Sequence, residues 1–180
     1  YQVTVADIDE DGTIDLLVPQ YQYAMSDRLK LWQRDTDPES ETAGEWLATT
    51  LTAPYPSNLD QTVDLHAVAA WTGDVDGDGD VDVVALGATN STGAYPACHS
   101  TNSVQCARVL LNDGTGQFVG QPEVYPFDVT SGGHYVPDVR LGGTLYDLDG
   151  DGHLDVVAPD DYSGFVGVLF GNGDGTFAQM

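Results

Sequence analysis

The chain is short of positive charge. Its 180 residues include five lysines and arginines (Arg28, Lys30, Arg34, Arg108 and Arg140) against 29 aspartates and glutamates, for a formal net charge of −24. A surface this acidic repels the phosphates of nucleic acid and of anionic lipid, which argues against nucleic-acid binding. Long apolar runs are missing. None reaches the roughly 18 residues of a membrane-spanning helix, so no membrane insertion is expected. Helical periodicity is missing too: apolar residues do not recur at three- and four-residue spacing over any long window, and helix is expected only as an isolated turn. Reaction motifs are absent as well. There is no Gly-x-Ser-x-Gly elbow and no phosphate-binding glycine loop. His66, His99 and His134 stand alone in the sequence. A carboxylate pair for glycoside hydrolysis would have to come from Glu45, Asp64, Glu123, Asp138, Asp160 or Asp161, and nothing selects a pair. The reading is therefore of a non-enzyme, with no catalytic residue assigned.

What the chain has in abundance is aspartate in a fixed order. Asp7-Ile8-Asp9-Glu10-Asp11-Gly12-Thr13-Ile14-Asp15 is written again as Asp74-Val75-Asp76-Gly77-Asp78-Gly79-Asp80-Val81-Asp82 and as Asp147-Leu148-Asp149-Gly150-Asp151-Gly152-His153-Leu154-Asp155. Each copy places a carboxylate at positions one, three, five and nine and a glycine at position six. Alternate residues can turn inward, the glycine permits a sharp bend, and the carbonyl at position seven (Thr13, Asp80, His153) can add a backbone oxygen. Carboxylates this close repel one another unless a cation lies among them. Oxygen-only ligation in a flexible loop favours Ca²⁺ over zinc or copper. Three Ca²⁺ sites are expected, on Asp7, Asp9, Asp11, Thr13 and Asp15; on Asp74, Asp76, Asp78, Asp80 and Asp82; and on Asp147, Asp149, Asp151, His153 and Asp155. Three divalent ions would bring the charge from −24 to −18, so the ligands explain only part of the acidity.

The flanking residues separate this motif from a helix-loop-helix hand, which closes on a glutamate at position twelve and enters a helix. Here position twelve is Val18, Ala85 and Ala158. The runs Leu16-Leu17-Val18, Val83-Val84-Ala85-Leu86 and Val156-Val157-Ala158 read as buried strands. The stretches before the loops (Val3 to Ala6, Ala67 to Trp71, Val139 to Tyr146) read as extended too. Each loop thus joins two strands. A second repeat lies downstream: Leu110-Leu111-Asn112-Asp113-Gly114-Thr115-Gly116-Gln117-Phe118 matches Leu169-Phe170-Gly171-Asn172-Gly173-Asp174-Gly175-Thr176-Phe177, with a degenerate version running from Leu29 to Arg34 and on to Trp46. An apolar strand, a Gly/Asn/Asp turn and an aromatic-led strand make a hairpin. The unit is four antiparallel strands. The acidic loops start 67 and 73 residues apart, and such a period suggests β-propeller blades. The fold class is all-β, with about three blades at residues 1–54, 64–128 and 137–180.

The loops, together with Asn172-Gly173-Asp174-Gly175-Thr176-Phe177, resemble FG-GAP/VCBS repeats, the calcium-bearing blades of integrin α-subunit propellers and of many secreted microbial proteins. The third unit fits best and the first has the weakest downstream half. The resemblance implies a propeller of several blades with one Ca²⁺ per motif. It implies an extracellular, structural, adhesive or glycan-recognition role, or else a segment of a secreted polysaccharide lyase or hydrolase. Three blades are too few to close a ring. A chain that starts at Tyr1 without Met or signal peptide is expected to be a segment or processed product of a longer one. Self-assembly into a ring, array or filament is the other expectation.

The two cysteines, Cys98 and Cys106, flank a polar stretch placed between the second and third strands of the second unit. They read as a disulfide in an oxidising compartment. Asn90-Ser91-Thr92 is a glycosylation sequon. Both agree with a place outside the cell. Tyr21, Tyr23 and Tyr162, beside Asp160 and Asp161, suit sugar contact or fill gaps between units. Trp32, Trp46 and Trp71 are expected to pack between blades.

Overall fold

Short β-branched and leucine-rich runs bounded by Gly, Asp and Asn turn signals leave the chain one economical choice, antiparallel hairpins. The structure is a computed structural model that describes residues 3–20, 28–51, 65–89, 105–121, 125–127, 142–159 and 166–179. These described residues form thirteen strands. Sheet 1 is β1 (Thr4–Ala6), β2 (Asp15–Gln20), β3 (Arg28–Arg34) and β4 (Trp46–Thr50). Sheet 2 is β5 (Leu65–Gly73), β6 (Asp82–Thr89), β7 (Gln105–Asn112) and β8 (Phe118–Gly120), with β9 (Tyr125–Phe127). Sheet 3 is β10 (Thr144–Tyr146), β11 (Asp155–Pro159), β12 (Val166–Gly171) and β13 (Phe177–Gln179). Each sheet is a four-stranded antiparallel meander in chain order. In sheet 2 the outer edge comes in two pieces, β8 on Leu110 to Asn112 and β9 on Gln105 to Ala107. Among the described residues there is no helix long and apolar enough to cross a membrane.

The sheets stack. Leu17 and Leu29 of sheet 1 are buried with Ala70, Val83, Ala85 and Leu110 of sheet 2. On the other side, Trp71, Val84, Leu86 and Val109 of sheet 2 are buried with Val156, Ala158 and Leu169 of sheet 3. Sheet 2 is thus covered on both faces, which is why Val83-Val84-Ala85-Leu86 reads as an unbroken apolar run and not as an alternation. Burying a Leu or Val side chain contributes about 1.5–3 kcal/mol relative to exposure, so these two seams supply most of the cohesion between units. The second seam is close enough to need glycine. A Cβ on Gly143 would collide with the Trp71 ring, and one on Gly73 would meet Leu154 Cδ1 at 2.6 Å. The Tyr125 and Phe177 rings close the same seam edge to face, 5.4 Å apart.

Several details depart from the sequence reading. Two prolines are strand residues, Pro19 inside β2 and Pro159 at the last position of β11: each lies past the last residue that β1 or β10 pairs, so its missing N–H leaves no gap in that ladder. A register shift between Ala67 and Ala69 breaks the alternation of β5. Trp71 does pack between sheets, but Trp46 is 44% exposed, because no sheet lies against that side of sheet 1 among the described residues. Cys106 sits within β7 opposite Gly87, not in the connection before it.

Candidate metal centre

Each acidic loop is a reversal between the first two strands of its sheet, and the same hydrogen bonds shape all three. The position-one carboxylate accepts from the position-six N–H: Gly12 N to Asp7 Oδ2 at 3.0 Å, Gly79 N to Asp74 Oδ2 at 3.2 Å, Gly152 N to Asp147 Oδ2 at 3.0 Å. Position three accepts from position five and position five from position seven, as in Asp151 N to Asp149 Oδ1 and His153 N to Asp151 Oδ1. These side-chain turns need left-handed backbone at position six, where Gly12, Gly79 and Gly152 have φ of 85°, 99° and 93°. Position four is left-handed too. Gly77 and Gly150 fill it in the second and third loops, but Glu10 holds φ 56° in the first, a conformation that strains a residue with a Cβ.

That substitution has a local consequence. Gly77 N and Gly150 N donate to the second oxygen of position one, Asp74 Oδ1 and Asp147 Oδ1, each at 2.7 Å. In the first loop Asp7 Oδ1 is buried with no hydrogen-bond partner. A buried, unpartnered carboxylate oxygen is costly unless a cation takes it. It lies in a cluster of the right chemistry. One carboxylate oxygen from each of Asp7, Asp9 and Asp15 lies within 4.8 Å of the others, as do those of Asp147, Asp149 and Asp155, and of Asp74, Asp76 and Asp78. Each of the three clusters could hold a metal ion. The sequence placed five ligands at each loop; positions one and three converge in all three. Position nine joins them in the first and third loops, and position five in the second.

Position nine has a second duty that spacing did not reveal. Asp15, Asp82 and Asp155 are at most 2% exposed. Each accepts from the N–H at position two: Ile8 and Val75 at 2.9 Å, Leu148 at 2.7 Å. In sheets 2 and 3 the other oxygen accepts from the end of the third strand, Asn112 N to Asp82 Oδ1 and Gly171 N to Asp155 Oδ1, both at 2.9 Å. This carboxylate clamps loop to sheet. Burial pushes Asp15 and Asp82 up to about 6 from the ordinary 3.8, with nearby aspartates adding to the rise. Burial also raises Asp76, while hydrogen bonds from Thr13 hold Asp11 low.

In the first loop, residues outside the motif bond to its carboxylates. Gln33 Nε2 donates to Asp9 Oδ2 at 2.7 Å, and Thr36 Oγ1 to Asp11 Oδ2 at 3.3 Å. Position seven, read as a carbonyl donor alone, also uses its side chain: Asp80 lies over Gly114 and His153 over Gly173, both turn glycines with positive φ. Each downstream turn then reaches the loop of the sheet before it. Asn112 Nδ2 donates to Ile8 O at 2.6 Å, and Gly175 N to Val75 O at 3.0 Å. No local signal marked this contact, since it joins residues a whole unit apart.

Of the other candidates, Cys106 is buried and disulfide-bonded, and the sequence offers Cys98 as its one possible partner within the chain. Cys98, Asn90, His99, His134, Asp64, Glu123, Asp138, Asp160, Asp161, Tyr21, Tyr23 and Tyr162 lie outside the described residues. Glu45 is exposed at the end of the turn before β4. No family model and no curated protein matches the chain.

Proposed function

We propose that this chain is a calcium-stabilised repeat protein of the extracellular space, with a structural, adhesive or glycan-recognition role and no catalysis of its own. The observation that carries the reading is the threefold recurrence of one loop geometry, with carboxylate oxygens converging in each copy. The donor set is oxygen only, and neither a thiol nor an imidazole joins any of the clusters, which suits Ca²⁺ rather than zinc or copper. Flexible sites of this kind bind at about 10⁻⁴ to 10⁻³ M in extracellular modules, where calcium is abundant. The disulfide at Cys106 fits an oxidising compartment.

On this reading the three stacked meanders are propeller blades of the FG-GAP/VCBS kind, and calcium fixes the loops that one blade offers to the next. A glycan array and an assay on acidic polysaccharides, each run with Ca²⁺ and with EDTA, test the role. Calcium-dependent retention of a glycan or an extracellular protein without turnover is expected. Turnover of a polysaccharide by the isolated chain would replace this reading with that of a secreted lyase or hydrolase.

A further inference from the structure

The two seams between sheets are one interface used twice. In sheet 2, Val83 and Ala85 follow the position-nine aspartate by one and three places and face sheet 1 with Leu110, the partner of Val83. In sheet 3 the same places hold Val156, Ala158 and Leu169, which face sheet 2. In sheet 1 they hold Leu16, Val18 and Trp32, with Leu16 paired to Trp32 as Val83 is to Leu110. Among the described residues no sheet covers them. Around them Val3, Val5 and Trp46 are 52%, 58% and 44% exposed, whereas Phe177, which opens the fourth strand of sheet 3 as Trp46 does that of sheet 1, is 6% exposed.

The far side of sheet 3 carries the complement. Val84, Leu86 and Val109 of sheet 2 are buried toward sheet 3. Their counterparts Val157, Pro159 and Val168 lie on the open face of sheet 3, with Val157 paired to Val168. Tyr146 and Val166 on that face are 62% and 58% exposed. The acidic loops give the same answer. The position-two side chain is 0% exposed at Ile8 and 4% at Val75, where a following sheet reaches the loop, but 51% exposed at Leu148, where none does. The first strands repeat one contact as well. Thr4, three places before its loop, donates from Oγ1 to Ala70 O at 2.7 Å, and Trp71, three places before the next, covers Gly143. Ala70 and Gly143 each stand four places before a loop. Thr144 and Val3 are the two halves of the third such pair, one at each end of the stack of described sheets.

We propose that a second copy of this chain seats the open face of its sheet 1, with Trp32 and Trp46, on the open face of sheet 3 of the first copy, with Tyr146 and Leu148. The contact continues the intrachain seam and is head-to-tail, so it closes a ring if the rotation allows and otherwise grows a filament. It stands on the sheet geometry and does not depend on which cation the loops take. Each copy carries a charge of −24, so salt and bound cations favour the contact by screening.

The test is light scattering and sedimentation of the full chain in about 0.15 M salt with calcium at millimolar level. The parent is expected to associate as its concentration rises. Trp46→Lys blocks one end and Val166→Lys the other; both side chains are exposed and neither lies in an acidic loop, so circular dichroism and melting should match the parent. Each variant alone is expected to associate about tenfold more weakly or less than that. Mixed in equal amounts, they retain one good end apiece and should stop at a one-to-one dimer. A parent that stays monomeric up to about 1 mM overturns the proposal and leaves the faces to another segment or protein. So does a mixture that forms no dimer, since that rules out a head-to-tail contact.

Discussion

The residue that holds each unit together is the last aspartate of its loop. Asp82 is fully buried and accepts backbone N–H bonds from Val75 and Asn112, so it links the loop, β6 and β7 at one point. Asp82→Ala would leave two buried donors unpaired and should cost about 2–4 kcal/mol, read as a lower urea midpoint with unchanged slope. Its ionisation gives a pH signature. Asp15 and Asp82 hold their protons up to about 6 in the fold against 3.8 for a free aspartate. A carboxyl that binds its proton more tightly folded than unfolded adds stability below the unfolded value and loses it as pH rises through the folded one. Protein freed of metal with EDTA should therefore melt higher near about pH 4.5 than near about pH 7.5, the change falling between those two values. Added calcium should shrink the difference, because the cation competes with the proton. Glu10 is the opposite case, a strained position with no compensating bond. Glu10→Gly should relieve the positive φ, let residue 10 donate to Asp7 Oδ1 as Gly77 and Gly150 donate in their loops, and raise metal-free stability by about 1 kcal/mol.

At the scale of the element, loop and turn act as a pair across sheets. Asn112 gives its side chain to Ile8 O and, at 3.1 Å, to Val81 O, bridging the loop of sheet 1 to that of its own sheet. Asn112→Ala should destabilise the fold by about 1–3 kcal/mol in a denaturant melt. Asp149→Ala should remove one calcium site and leave two, counted by titration calorimetry. The loops and hairpins were legible in the sequence because their causes are local: aspartate at alternate positions, glycine where φ must be positive, β-branched residues after the turn. The clamp at position nine, the reach of Gln33 and Thr36, and the place of Pro19 within β2 were not legible. Each depends on which strand end or neighbour lies alongside, and short-range pattern carries no such information. The same limit hid the exposure of Trp46. A tryptophan opening a strand reads as core until one knows that, among the described residues, no sheet lies against its face.

At the scale of the whole molecule, the chain sets two apolar seams against a large negative charge. The seams hold sheet to sheet, while the first two acidic loops lie at the strand ends where one sheet touches the next. A cation in a loop would therefore steady both its own hairpin and the following sheet, since Ile8 and Val75 are contacted by that sheet's turn residues. Binding to the folded state alone raises stability in proportion to the logarithm of the free ion concentration above the dissociation constant. Magnesium, smaller and reluctant to lose its water, should substitute poorly. The account rests on a divalent cation ordering all three loops, and calcium titration of EDTA-stripped protein, with calorimetric melting of the same samples, tests it most directly. Three ions bound per chain and a melting temperature that climbs with millimolar calcium are the expected result; no binding and an unmoved transition would contradict it.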